Sequence, residues 1–244
     1  MALSELTILS GVFSIIVVVI YTYVGLRIAA KYLELKQKVF LFVGITWIGL
    51  ASPWWPSSVS FLLALIEGGN GLQDTPEIYF MIGNVMIPLF LLLWMLALTD
   101  LIYQDKRKII IILILIYGVA FEAVFFWLLF TDINAVGVLQ GPVDVEYQTF
   151  VEIFLISVLV ILIITGVLFG RESLRSDNPE IKLKGKLIIA SIIFFDIGAA
   201  MDSGLPLTEI TLIIARILLI LSAIGFYGGF ILPDWMKKLF LKQK

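Results

Sequence analysis

Six ionisable side chains lie within or near stretches that are otherwise almost wholly apolar: Asp100, Glu122, Glu152, Asp196, Asp202 and Arg216. A charge at the centre of a membrane helix costs about 2.5–3.5 kcal/mol or more, so such groups face the bundle interior and pair with one another. Arg216 is the single cation of the set. At ~1.5 Å of helix rise per residue, Arg216 stands slightly to one side of the middle of its segment, and Glu122 and Asp196 stand near the middles of theirs. Glu152, Asp202 and Asn84 fall in the third nearest the side assigned below as outer, and Asp100 near the opposite interface. By depth, Glu122 and Asp196 are the expected partners of Arg216. One guanidinium facing several carboxylates leaves at least one acid over, which is then a candidate proton carrier or ligand contact. The expected chemistry is a polar, outward-facing pocket in which Arg216 holds a small anion or acts as counter-ion. The competing expectation is a salt bridge that only fixes helix packing.

Ser52-Pro-Trp-Trp-Pro-Ser-Ser58 is the second informative stretch. Pro53 and Pro56 each remove a backbone donor and oppose a straight helix. In lipid the freed carbonyls need other partners, and Ser52, Ser57 and Ser58 are suited to that. The expectation is a hinge, with Trp54 and Trp55 as an aromatic lining, or else a static kink. Pro88 implies a second kink. Glu209 and Arg216 share a helix face seven residues apart, and Glu209 is read as a first-turn acid complementing the helix dipole. Trp47, Trp94 and Trp127 are expected in packing or in an interfacial belt. Trp235 and the lysines of the tail are expected on the inner leaflet.

What is missing narrows the chemistry further. The chain has neither cysteine nor histidine, which excludes disulfides, thiolate nucleophiles, zinc sites built on His or Cys, and a histidine pH switch. No Gly-rich phosphate loop, GxSxG or HExxH occurs. Asp196 and Asp202 are six apart, poorly placed for an aspartyl dyad. No nucleophile–base pair is visible, so catalysis is not the leading expectation, although a carboxylate-based site stays open. A net charge of −2 implies no nucleic-acid surface.

The elements that must carry these residues follow from composition. Of 244 residues, 61% are apolar and 15% charged, with a mean hydropathy of +1.07; an ordinary soluble domain is about 45–50% apolar and about 25% charged. The chain therefore reads as all-α and polytopic, one seven-helix transmembrane domain over residues 1–244. The spans are expected at about 6–30, 39–66, 77–103, 108–131, 147–170, 186–204 and 207–232. Each is longer than a barrel strand and lacks period-two alternation, which leaves helices. The first span follows no basic region and is read as retained rather than cleaved. Sixteen of the 17 basic residues fall in the first, third and fifth connections and the tail, and the other side carries none. The positive-inside rule then places the N-terminus outside and the C-terminus inside, as a multi-pass protein of the cell membrane.

A seven-helix plan with a polar residue deep in the last span resembles the microbial rhodopsins. That family holds retinal on a lysine of the seventh helix. Span seven here has no lysine, and Arg216 stands at roughly that depth. A guanidinium cannot form the imine, so retinal is excluded and no cofactor is expected. Glu77-Ile-Tyr-Phe-Met-Ile-Gly-Asn84 echoes Glu209-Ile-Thr-Leu-Ile-Ile-Ala-Arg216, a faint 3+1+3 repeat similar to that of PQ-loop and SWEET-type transporters; the proline of their repeat-opening helices is missing from spans one and five. The layout also resembles the seven-helix sensor modules that precede histidine kinases. These likenesses and the residues together imply a receptor-like or sensor-like protein that passes its signal through the basic inner loops to a cytoplasmic protein partner. A small-solute or proton-coupled transporter, or a structural protein with a packing salt-bridge network, are the alternatives.

Overall fold

In the computed structural model, which describes residues 3–204 and 208–241, every apolar segment is helical. The first is α1 (Glu5–Leu35), capped by the Ser4 hydroxyl accepting from the amide of Thr7. The second is broken into α2 (Lys38–Gly49) and α3 (Trp55–Glu67), joined by a 3-10 turn over Ser52–Trp54. The third is α4 (Pro76–Asn84) and α5 (Ile87–Leu101). Then come α6 (Arg107–Thr131), α7 (Thr149–Leu174), α8 (Pro179–Gly204), α9 (Glu209–Phe230) and a short α10 (Asp234–Phe240). Among the described residues, seven helical segments are long and apolar enough to cross a membrane, the pattern of a multi-pass membrane protein.

The expected spans agree in number and differ at their ends. The sixth begins at Pro179 rather than near 186, because the polar turn Glu180–Lys186 is already helical and rests on the tail: Lys237 pairs with Glu180 at 3.1 Å, and the Lys184 ammonium donates to the Phe230 carbonyl at 3.3 Å. The first and fifth run on to Leu35 and Leu174, past the apolar stretch into charged turns. The expected start of span seven, Leu207, and the tail lysines Lys242 and Lys244 lie outside the described residues. Lys237 and Lys238 sit on α10, with Trp235 exposed and Met236 buried.

The helices form a closed circuit. The α1 helix packs on α2 and α9, α2 on α5, α5 on α6, α7 on α8, and α8 on α9. The remaining join, between α6 and α7, is made by rings: Phe121 stacks on Phe154 with centroids 3.5 Å apart, and the Tyr117 and Ser157 hydroxyls share a hydrogen bond. Glycines set the closest approach. A Cβ on Gly25 would lie 2.5 Å from the Gly44 carbonyl oxygen, and one on Gly44 equally close to that of Gly25. Only hydrogen side chains let α1 and α2 meet there, as in other membrane helix pairs.

The centre of the bundle is aromatic. Trp47 lies between Tyr21 and Phe226, at 5.0 and 3.6 Å, with Phe195 tilted against it at 6.2 Å. Trp94 packs on Phe226 at 6.4 Å, and its indole nitrogen donates to Thr165 at 2.8 Å. Outward, α6 presents Ile112, Leu113, Ile116, Val119 and Trp127, all exposed. Such a surface suits hydrocarbon, not water.

The connection between α6 and α7 holds an element that the hydropathy reading did not anticipate. Strands β1 (Gly137–Leu139) and β2 (Val145–Tyr147) form an antiparallel hairpin with Val138 opposite Glu146. The hairpin lies at the end of the bundle opposite the basic connections.

Candidate functional site

A cavity of about 130 Å³ lies between the two broken segments, α7, α8 and α9 at the hairpin end. Its polar wall is built by three side chains from three elements. Arg216, eighth residue of α9, is 3% exposed. Its Nη2 lies 3.2 Å from Oδ1 of Asp202, near the end of α8. The other carboxylate oxygen, Oδ2, accepts from the indole nitrogen of Trp54 at 2.6 Å. The guanidinium carbon stands 5.4 Å from the Trp54 ring centroid, in cation–π range. Both Asp202 oxygens are thus engaged, whereas Nε and Nη1 of Arg216 have no hydrogen-bond partner among the described residues.

The double-proline break supplies Trp54. Pro53 opens the 3-10 turn and Pro56 opens α3. Prolines are tolerated at those first-turn positions because their amides need no partner. The Trp54 carbonyl is taken up by the Ser58 hydroxyl at 2.8 Å. Ser57 has a different task from the expected carbonyl relief: its hydroxyl donates to the Val143 carbonyl at 3.1 Å and bonds the Tyr79 hydroxyl at 2.7 Å. Ser52 lines the cavity with its hydroxyl unpartnered among the described residues. Trp55 turns away from Arg216 and packs edge-on against Phe90, 5.9 Å between centroids.

The hairpin forms the roof through Val143, Asp144, Val145 and Tyr147. The Asp144 carboxylate accepts from the Val145 amide at 3.0 Å. Burial pushes its pKa above the ordinary carboxylate value, and the charges of Asp202 and Glu146 add to the rise. The amide nitrogen of Asn84, at the end of α4, donates to the Tyr147 hydroxyl at 3.2 Å. Asn84 is fully buried and stands behind the wall, steadying Tyr147.

The expected pairing of Arg216 with Glu122 or Asp196 is corrected: the partner is Asp202. Glu122 lies in a different place, a groove between α5 and α6 lined by Met86, Leu89, Val119 and Phe126. The break after Asn84 and the close contact of Gly118 with Pro88 create that groove. Asp196 is 7% exposed, and neither of its carboxylate oxygens has a hydrogen-bond partner among the described residues. Glu152 is exposed in the first turn of α7, where an acid complements the helix dipole, and lines neither the Arg216 cavity nor the α5–α6 groove. Asp100 pairs with Arg107 at the basic end. Depth matching failed because it ignores azimuth: Glu122 sits at the right height, but its buried carboxylate lies in the groove beside α5 and not in the cavity of Arg216.

Asp144 and Tyr147 are functional candidates that hydropathy missed: Asp144 lies in a connection, and Tyr147, expected as the first residue of span five, belongs instead to β2. A signal existed, for Val143-Asp-Val-Glu-Tyr147 alternates with period two after Gly141-Pro142. Below the cavity, toward the basic end, the space is filled by Tyr21, Trp47, Trp94 and Phe226, all buried. The arrangement can bind and orient an oxygen-bearing group at Arg216. Among the described residues no cluster of His, Cys, Asp and Glu is arranged to hold a metal ion. No protein-family model, curated protein or solved structure matches the chain.

Proposed function

We propose that this chain is a receptor-like or sensor-like protein of the cell membrane. In this reading the hairpin end faces outward, the N-terminus is outside and the C-terminus inside. A small ligand binds against Arg216, and the signal leaves through the basic connections to a separate cytoplasmic protein. The observation that carries the reading is the buried guanidinium with two unpaired donor nitrogens in a cavity plugged by aromatic rings toward the basic end. Leaving buried N–H groups without acceptors costs about 1–3 kcal/mol each, a cost that a bound oxygen offsets. The charge bias of the connections supports the orientation. The two interrupted segments that flank the cavity, at Ser52–Trp54 and at Val85–Met86, supply places where the backbone can move.

Interrupted helices beside a polar site are also a habit of transporters, and that observation keeps a small-solute transporter as the second reading. The aromatic plug weighs against it, because flux needs the site to reach both faces.

A thermal-shift screen of the purified protein against small anionic and small neutral oxygen-bearing compounds tests the reading, with Arg216→Gln in parallel. The expected result is a compound that stabilises the wild type and leaves the variant unmoved. If every stabilising compound shifts both proteins equally, the Arg216 cavity is not the ligand site and the reading fails.

A further inference from the structure

The cavity has a second, apolar half, and its composition specifies more than an anion site needs. Leu155, Val158, Leu159 and Leu162 all line it. They fall at i, i+3, i+4 and i+7 of α7, one continuous helix face that extends about 10 Å along the axis. Phe90 and Leu91 of α5 face the same space. A small polar ligand held at Arg216 would leave this wall uncovered.

Charge narrows the head group. The single positive charge of the site is already opposed by Asp202 at 3.2 Å, and Asp144 brings a second carboxyl to the same cavity. A carboxylate ligand would be a third acid sharing one guanidinium. An uncharged oxygen can accept from Nε or Nη1 of Arg216 without adding charge, and it is far cheaper to remove from water. Resting on the receptor reading above, the geometry points to an uncharged amphiphile as the ligand: an apolar chain along α7 that ends in an alcohol or carbonyl oxygen against Arg216.

The test uses the full chain in lipid nanodiscs with a photoreactive analogue of 1-decanol carrying a diazirine in its chain. Cross-links are mapped by peptide mass spectrometry. Labelling is expected on α7 between Leu155 and Leu162, with competition by excess 1-decanol and much weaker competition by decane or decanoate. Arg216→Gln should weaken competition by 1-decanol roughly tenfold, the equivalent of one or two lost hydrogen bonds. Leu159→Trp, which fills the apolar half and leaves Arg216 in place, should abolish labelling of α7; Val158→Phe serves if that variant does not fold. Labelling confined to the exposed face of α6, competition by decane equal to that by decanol, or stronger competition by decanoate would each overturn the proposal. Stabilisation by short oxygen compounds that depends on Arg216, with no competition by 1-decanol, would sink this inference and leave the receptor reading standing. Loss of all Arg216-dependent stabilisation would sink the reading itself.

Discussion

Removing Asp202 should harm the protein more than removing Arg216, although the two form one ion pair. The pair is separated by 3.2 Å, with the arginine side chain 4% and the aspartate side chain 17% exposed. At an effective dielectric of about 20 the gross attraction is roughly 5 kcal/mol, most of it offset by the cost of burying the charges. Asp202→Leu leaves a guanidinium over the face of Trp54 with no carboxylate in salt-bridge range among the described residues, and an abandoned buried charge costs about 3–5 kcal/mol. In Arg216→Met the remaining Asp202 keeps its hydrogen bond from Trp54 and its partial exposure, so the loss should be about 1–3 kcal/mol. The double variant should return to within about 2 kcal/mol of the wild type, because an apolar pair of similar volume often replaces a buried ion pair at little cost. The assay is reversible unfolding by steric trapping in bicelles, run as a double-mutant cycle. A coupling free energy of about 2 kcal/mol or more, with Asp202→Leu the worse single variant, is the expected outcome. Additive losses, or equal losses from the two single variants, would refute the pairing.

Three further outcomes are expected. Gly44→Ala should destabilise by about 1–3 kcal/mol through overpacking against the Gly25 carbonyl, whereas Gly141→Ala, with nothing within 4 Å, should be silent; SDS resistance of the two variants compares them directly. Trp47→Ala should cost about 3–5 kcal/mol as the ring between Tyr21 and Phe226 is lost. Trp47→Phe should cost much less, since the indole nitrogen has no hydrogen-bond partner among the described residues, and chemical denaturation reads the contrast. Asp144→Asn should be more stable than the wild type at neutral pH. Because burial raises the folded pKa of Asp144 above its ordinary value of 3.8, the folded chain binds that proton more tightly than the unfolded chain. Stability therefore falls as pH rises from the ordinary value through the raised one. The advantage of the variant should vanish below about pH 4, and thermal melts across pH 3–8 would show whether it does.

Much of this architecture is legible from hydropathy because lipid leaves the backbone few choices. An apolar run as long as 108–131 can only be a helix, and α6 begins and ends within a residue of it. Prolines 53, 56 and 88 announced breaks, and all three stand at helix starts. Arg216 stands out by chemistry alone, as a cation where no cation is cheap. Its partner was not legible. Depth selects a height, but a contact also needs the right side of the helix, and nearly uniform apolarity around α6 and α8 hides which side that is. Glu122 and Asp202 illustrate the two failures: one at the right height on the wrong face, the other too near its helix end to be chosen by height. The roof, whose alternation at 143–147 was present but faint, was passed over for a different reason. Its strands are three residues long, and short alternating stretches carry little signal in a chain dominated by long apolar runs.

In the proposed receptor, the cavity at Arg216 opens to the outside and is closed toward the cytoplasm. With no native cysteine in the chain, single-cysteine labelling tests it without background. Leu50 is half-buried and lines the cavity, while Leu98 is buried in the hydrophobic core on α5 and does not line it. Leu50→Cys should react with a charged, membrane-impermeant thiosulfonate applied outside intact cells, and the reaction should slow when a stabilising ligand is present. Leu98→Cys should stay unlabelled from either side. Reaction of Leu50→Cys only from the cytoplasmic side of inverted vesicles, or from neither side, would show that the cavity does not open outward.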